Sequence, residues 1–343
     1  MGQYLDEVMK NVNKTAKSEI MTIGLKEYDY ERIPFTSPVM NRCLYGGLPI
    51  GKIIEFYGEE HGGKTTSALD IIANFQQLFP DKEVLLIDAE NTFDFEWAVK
   101  LGVNVEKLYI IKPENQSAED IFKIIEDAVA TGEVGLWVLD SVGVLVSASE
   151  LDEKKDYNDK TYGGISLPLT RFSKKIEMLM QKTKCTGIAI NQEREDLNSQ
   201  WGGTKTPGGK AFKHCCAVRL RFSRGKFIDE KGNELTRNAA EPCGNIVQMS
   251  MTKNKTCPPN RRTGYYTLNY DTGIDYLKDL VEVAIMHDII IKNGAWFKIL
   301  DVESGEILRD KIQGQANVYD VLTEDSELLK IVENQVEIAI LAP

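Results

Sequence analysis

The 343-residue chain holds no run of eighteen apolar residues, which argues against a membrane-spanning helix. Its first eighteen residues are polar and of mixed charge, so they do not read as a secretory leader. The six cysteines never stand at C-x-x-C spacing: Cys43, Cys185, Cys243 and Cys257 are isolated, and Cys215 and Cys216 are adjacent. That pattern suggests neither a zinc site nor a disulfide framework. Adjacent His214, Cys215 and Cys216 make a poor metal site, because neighbours on a strand point to opposite faces. The expected setting is a reducing cytoplasm, with no membrane partner. An excess of positive charge is missing too: the net charge of −11 argues against a broad basic surface, although a local basic groove depends only on where its own charges lie. Repeats and low-complexity tracts are absent. What is present, 42% apolar and 27% charged residues, suits one large globular domain with appendages, or two domains.

The most informative stretch is Gly58-Glu59-Glu60-His61-Gly62-Gly63-Lys64-Thr65, which fits G-x-x-x-x-G-K-[ST]. A β-prone run, residues 53–57, precedes it, and residues 66–79 follow as a predicted helix with Ala68, Ile71, Ile72, Phe75 and Leu78 at helical spacing. A strand, a glycine turn and a helix N-terminus aim backbone N–H groups, and the positive end of the helix dipole, at one anion. In such a loop Lys64 reaches the β- and γ-phosphates, and the Thr65 hydroxyl is a ligand of Mg2+.

Around this loop strands and helices alternate. Residues 83–88, 108–111, 135–140 and 187–191 read as strands, and residues 92–101, 117–130 and 167–182 as helices, the second with Ile121, Ile124, Ile125 and Val129 on one side. This rhythm predicts an α/β fold with a mostly parallel central sheet covered on both faces. Residues 217–222, 245–252 and 264–270 alternate like antiparallel strands. From Ile274 onward a smaller, α-rich segment carries a hairpin at Gly294-Ala295-Trp296-Phe297. Residues 1–40 read as an appendage, with Tyr4, Val8, Val12 and Ala16 forming a weak helical stripe. The expected division is an arm over 1–40, a core over 41–273 and a C-terminal subdomain over 274–343.

Ligands bind beyond the carboxyl ends of parallel strands, so acids that close strands belong to the same edge as the phosphate loop. Asp140 closes one apolar strand and would hold Mg2+ through its water shell. Glu90 follows another, in Ile87-Asp88-Ala89-Glu90, and could orient and deprotonate an attacking water. Asn191-Gln192 closes a third; a neutral amide there can sense a γ-phosphate without repelling it. Residues 193–209 lack apolar periodicity and contain five Gly or Pro residues, which predicts a long functional loop joined directly to that sensor. Residues 148–164 form a second long polar segment.

At this point the chain resembles the RecA-type recombination ATPases, from about Tyr45 to the C-terminal subdomain. The resemblance is carried by Gly46-Gly47-Leu48-Pro49, Gly51-Lys52-Ile53-Ile54-Glu55, the phosphate loop, Ile87-Asp88-Ala89-Glu90, Leu139-Asp140-Ser141 and Asn191-Gln192. It continues through Thr206, Gly208-Gly209, Lys253-Asn254-Lys255, Asp271-Thr272-Gly273-Ile274 and Gly294-Ala295-Trp296. It implies a RecA-like P-loop NTPase core with an N-terminal arm and a small α/β C-terminal subdomain. It implies a nucleotide site formed by residues 58–65 with Thr66, Asp140, the catalytic Glu90, Lys64 and Gln192, and Asp94 and Trp97 as adenine contacts. Lys253 and Lys255 would reach ATP on a neighbouring copy, and the arm would dock on the next subunit of a helical homo-oligomer. Residues 148–164 and 193–209 match the first and second DNA loops.

A recombinase grips single strands without regard to sequence, through backbone contacts. Arg194, Lys205, Lys210 and Lys213 sit in or beside the second loop, Gly208 and Gly209 would let main chain approach a phosphate, and Trp201 could stack on a base. Arg171, Lys174 and Lys175 are candidates on the helix after the first loop. That loop has an acidic balance, and His61 and Gly62 depart from the usual small polar residues; these differences mark a divergent member, of the kind a bacteriophage could encode. The expected function is an ATP-dependent, filament-forming recombinase acting on single- and double-stranded DNA. The alternatives are an ATP-gated DNA-binding filament with little turnover, or a helicase or loader on the same core.

Overall fold

The computed structural model describes residues 3–17, 30–151, 164–195, 203–230, 232–236 and 238–342. Two units are distinguished, residues 1–31 and 32–343. The first contains helix α1 (Gln3–Ala16), on which Tyr4 and Leu5 are exposed.

The second unit opens with β1 (Arg32–Ile33), α2 (Pro38–Leu44) and β2 (Leu48–Pro49). It alternates through β3 (Ile53–Gly58), α3 (Lys64–Leu78), β4 (Glu83–Asp88), α4 (Phe95–Lys100), β5 (Leu108–Ile111), α5 (Ala118–Ala130), β6 (Val134–Asp140), α6 (Ser166–Thr183) and β7 (Thr186–Gln192). A short pair, β8 (Arg194–Glu195) with β9 (Thr204–Lys205), and α7 (Gly209–Cys215) lead into β10 (Val218–Ile228), β11 (Gly244–Asn254), β12 (Thr263–Asn269) and β13 (Gly273–Ile274). The chain then forms α8 (Tyr276–Met286), β14 (Ile290–Asn293), β15 (Trp296–Leu300), β16 (Ile307–Gln313), α9 (Gln315–Glu324) and α10 (Ser326–Leu341).

Nine strands make one sheet in the order β13-β12-β11-β10-β3-β7-β6-β4-β5. From β10 to β5 every neighbour is parallel; β11, β12 and β13 extend the sheet antiparallel. Strands β3 and β6 are buried at every residue, as a central strand covered on both faces must be. On one face α3 sets Ile71, Ile72 and Phe75 against Phe56, Leu86 and Val138; on the other, α5 and α6 cover Trp137, Leu139 and Ala189. Helix α5 is started by a reciprocal pair: the Ser117 hydroxyl accepts the Asp120 N–H, and the Asp120 carboxylate accepts the Ser117 N–H.

Several expectations need adjusting. Leu78 and Ile124 are exposed; the buried stripe of α5 is Ala118, Ile121, Phe122, Ile125 and Val129, which leaves Ile124 at its margin. Strands β10 and β11 run eleven residues each, longer than the apolar alternation suggested, because beyond Phe222 the alternate positions Arg224 and Lys226 are charged and exposed, and the pairing is irregular at Arg224/Phe227. The segment after Ile274, whose residues alone suggested helices and one hairpin, holds the three-stranded sheet β14-β15-β16 beside α8, α9 and α10, in keeping with the small α/β subdomain that the resemblance implies. Residues 32–40, assigned above to the arm, lie within the second unit: Ile33, Phe35 and Met40 are in the main core, and Val39 joins α8, α9 and α10 in the C-terminal core. Apolar burial against two cores draws this stretch out of the arm. Among the described residues no helix is long and apolar enough to cross a membrane.

Candidate nucleotide site

Strand β3 ends at Gly58, which lies so close to β10 that no side chain fits. Gly58 has φ +144°, and a Cβ there would meet the Phe222 carbonyl oxygen at 2.0 Å. The loop then turns into α3 at Gly63, in the left-handed region at φ +90°, with no side chain capping the helix. Intrahelical bonding begins with the Ser67 N–H on the Gly63 carbonyl, at 2.9 Å. The N–H groups of Lys64, Thr65 and Thr66 are therefore the helix's own unpaired donors, grouped at one anion-sized position. Lys64 is buried, and its ammonium donates to the carbonyls of Gly58 (3.3 Å) and Glu59 (2.6 Å). Burial pulls its pKa down, opposed by Asp140, Glu90, Glu60 and Glu59. A desolvated cation beside free helix N–H groups fits a phosphate chain.

The parallel strands bring the remaining groups to the same edge. Asp88 of β4 is in register with Asp140 of β6, and Gly58 of β3 with Gln192 of β7. The Thr65 hydroxyl donates to Asp140 Oδ2 at 2.7 Å. Burial pushes the Asp140 carboxyl up to about 6, against the pull of Thr65 and Lys64. Glu90 Oε1 accepts from Ser141 Oγ at 2.6 Å and from Gln192 Nε2 at 2.9 Å. Asp88, also at a strand end, is occupied otherwise: its carboxylate accepts the N–H groups of Thr92 (3.0 Å) and Phe93 (3.1 Å) and so shapes the turn that carries Glu90.

These groups border one cleft of about 670 Å³. Its lining includes Glu60 to Thr66, Glu90, Asp94, Trp97, Asp140 and Gln192. The Trp97 indole N–H points to Thr66 Oγ1 at 3.4 Å, while Asp94 caps α4 by accepting the Trp97 N–H. The Glu59 carboxylate instead turns to β10, where it accepts the Arg224 N–H at 3.1 Å. The opposite wall was not anticipated: Arg224, Asn245, Val247, Leu268 and Tyr270, from β10 to β12 and the turn that follows. The Tyr270 hydroxyl donates to Asn245 Oδ1 at 2.9 Å. Its one sequence signal is its position beside the Asp271-Thr272-Gly273 turn. No cluster of three acidic, His or Cys ligands occurs among the described residues. A divalent cation at Thr65 and Asp140 would therefore draw its other ligands from phosphate oxygens and water.

Lys253 and Lys255, at the end of β11, are not part of this lining. Lys253 donates to the carbonyls of Lys213 (2.6 Å) and His214 (3.0 Å), and Lys255 to that of His214 (3.2 Å). Arg194 pairs with Lys205 across β8 and β9 and donates to the Gly143 carbonyl at 3.0 Å. Lys210 and Lys213 lie on α7, the first exposed and the second half-buried. Gly208 is buried against Leu169, and Gly209 lies beside Ser166, so packing on α6 governs both positions. Arg171 and Lys175 border a separate cleft between α5 and α6; Lys174 is exposed on the same helix. Trp201 and most of residues 148–164 fall outside the described residues.

Residues 3–275 match the RecA N-terminal domain family. The chain is similar to Protein RecA of Bacillus subtilis, 32% identical over 336 residues that cover 97% of this chain and 90% of the relative. It is similar to Protein RecA of Ruminococcus albus, 32% identical over 94% of this chain and 76% of the relative. Protein RecA of Ureaplasma parvum is 33% identical over 85% and 81%.

Proposed function

The chain belongs to the RecA family, and from that premise we infer that it is an ATP-dependent recombinase that forms filaments on single-stranded DNA and pairs it with homologous duplex. It is a DNA-dependent ATPase using ATP and Mg2+, and it assembles with copies of itself. The single observation that carries the reading is the meeting of Lys64, Thr65, Asp140, Glu90 and Gln192 in one cleft, with the Gln192 amide on the Glu90 carboxylate.

Bound Mg2+ and ATP supply the phosphoanhydride to be cleaved and the charge that offsets the developing anion. The chain's own residues do the rest. Lys64 exchanges two carbonyl partners for phosphate oxygens, and the first N–H groups of α3 join it. Thr65 and Asp140, now hydrogen-bonded to each other, are the residues that would hold the cation. Glu90 orients a water and takes its proton. Gln192 reads the γ-phosphate, and because it also holds Glu90, catalysis and sensing share one hydrogen bond. Trp97 and Asp94 are assigned to the adenine. Lys253 and Lys255 are free of their own cleft and are assigned to the nucleotide of a neighbouring copy. Arg171, Lys174, Arg194, Trp201, Lys205, Gly208, Gly209, Lys210 and Lys213 are assigned to DNA. The division into arm, core and C-terminal subdomain belongs to this reading, with the core beginning at Arg32, and so does a cytoplasmic setting.

The test is ATP turnover with and without single-stranded DNA, alongside electron microscopy and strand exchange. DNA-stimulated turnover, helical filaments and exchanged strands are expected. Filaments without turnover would make the chain an ATP-gated binding protein, and closed rings with unwinding a helicase or loader.

A further inference from the structure

Both feet of the second loop are held by a ladder of ion pairs, buried at its inner rung, that the nucleotide chemistry does not use. Its inner rung centres on Glu55 of β3, which is 0% exposed. Arg219 of β10 donates from Nε to Glu55 Oε2 at 2.5 Å and from Nη2 to Thr206 Oγ1 at 3.4 Å. Asn191, also 0% exposed, donates from Nδ2 to Glu55 Oε1 at 2.9 Å and to the Pro207 carbonyl at 3.1 Å. Its Oδ1 accepts the Gln192 N–H at 3.0 Å. The outgoing foot at Asn191 and the returning foot at Thr206-Pro207 therefore close a ring through one carboxylate.

The outer rung repeats this two residues on. Arg221 donates to both oxygens of Glu193 at 3.0 Å, and Glu193 also accepts from the Thr204 hydroxyl at 2.9 Å. Arg219 and Arg221 share a face of β10, as residues two apart on a strand do. The feet supply Thr206 and Thr204 in the same two-residue step. Arg219, level with Glu55, thus ties a carboxylate and the returning foot to β10 three residues before the phosphate loop begins, and Arg221, level with Tyr57, does so through Glu193 one residue before it.

A buried ion pair contributes little net stability compared with apolar residues of similar size, so stability alone does not account for the inner rung. We propose that the Glu55–Arg219 and Glu193–Arg221 rungs are positioning elements that make the phosphate-loop strand, the γ-phosphate sensor and both feet of the second loop move as one body, so that nucleotide state sets the loop's grip on single-stranded DNA. The proposal rests on the recombinase reading above. It places the coupling in side chains that are not part of the nucleotide cleft's lining.

The experiment uses the full chain with an oligothymidylate probe, whose affinity is measured with and without a non-hydrolysable ATP analogue, beside direct titration of a fluorescent nucleotide. In Glu55→Gln/Arg219→Met, which replaces the inner ion pair without leaving an unpaired charge, nucleotide affinity is expected to stay within about twofold of the parent. The nucleotide-induced gain in DNA affinity is expected to fall about tenfold, within the ~5–150-fold range of ordinary coupling. Arg221→Met, on the more exposed rung, should lose about threefold of that gain. A gain that survives unchanged in the double variant overturns the proposal. If the double variant shows no cooperative melt, Arg221→Met decides by the same criterion. A parent protein whose DNA affinity ignores the nucleotide would instead remove the recombinase reading, and the proposal with it.

Discussion

The two halves of the nine-stranded sheet serve the cleft differently. In the parallel half, β3, β4, β6 and β7 end on one edge and deliver single chemical groups at or just past their last residues: the phosphate loop, Glu90, Asp140 and Gln192. In the antiparallel half, β10, β11 and β12 deliver a wall, through Arg224, Asn245, Val247 and Leu268 along the strands and Tyr270 just beyond them. Parallel strands concentrate polar chemistry at one edge because ligands sit beyond their carboxyl ends. Antiparallel strands present shape along their length. The difference teaches that reaction and fit are separable here, and substitutions on the two sides should fail in different ways.

The largest effect belongs to Lys64. Lys64→Ala should reduce turnover to background, because the phosphates lose a desolvated point charge that nothing else in the cleft replaces. Measurable DNA-stimulated turnover in this variant would break the assignment. Glu90→Gln comes next: nucleotide binding and filaments should persist while hydrolysis falls by ~10²–10⁴, the range for losing a general base. Single-turnover kinetics check it, and an unchanged chemical step would remove Glu90 from that role.

The same contrast explains what could be read from the chain alone. Asp140, Glu90 and Gln192 were legible because each closes a short apolar run, and one rule about strand ends brings them together. The order of strands and helices through β7 was legible for the same reason. Tyr270 and Asn245 were not, because they lie far along the chain from the phosphate loop, and the alternation of β11 shows which face Asn245 shares but not which strand that face lies beside. The ladder was equally hidden: Glu55 meets Asn191 136 positions away and Arg219 164 positions away. Residues 32–40 misled because a short segment with two prolines carries no periodicity, yet Ile33, Phe35 and Met40 are buried.

Buried acids sharpen the comparison by pH. Asp70 on α3, beneath the parallel half, is 1% exposed and accepts the Thr36 N–H (3.0 Å) and Asn74 Nδ2 (3.3 Å). Burial nonetheless pushes its carboxyl up to about 6. Asp279 on α8, packed near β12, is buried with neither oxygen hydrogen-bonded; Ser37 and the Thr267 N–H approach it without reaching bonding geometry, and burial holds its carboxyl well above the usual range. With a folded pKa above the unfolded one, Asp70 binds more protons folded than unfolded between about pH 4 and 6. Its contribution is therefore fully present below about pH 4 and is lost as pH rises through about 6. Asp70→Asn should flatten the stability profile over that window, by up to about 3 kcal/mol between its ends. Urea melts of nucleotide-free protein at several pH values check this, and an unchanged slope would show that Asp70 does not titrate there.

Tyr270 carries the smallest expected effect and the sharpest test of the division between reaction and fit. Its ring borders the cleft, and its hydroxyl donates to Asn245, itself nearly buried, so two contributions can be separated. Tyr270→Phe keeps the ring and leaves Asn245 Oδ1 without that donor, while Tyr270→Ala removes both. If the antiparallel wall supplies fit alone, the alanine variant should weaken nucleotide binding about five- to tenfold, the order of 1 kcal/mol expected for one aromatic contact. Its kcat should remain at the parent value, because the interaction is the same in ground and transition states. The phenylalanine variant should stay within about twofold of the parent in both parameters. A fall in kcat for Tyr270→Ala comparable to that of Glu90→Gln would mean that the wall orders Glu90 and Gln192 as well as the nucleotide. The two halves of the sheet would then act on the reaction together, and the separation read from their strand directions would not hold.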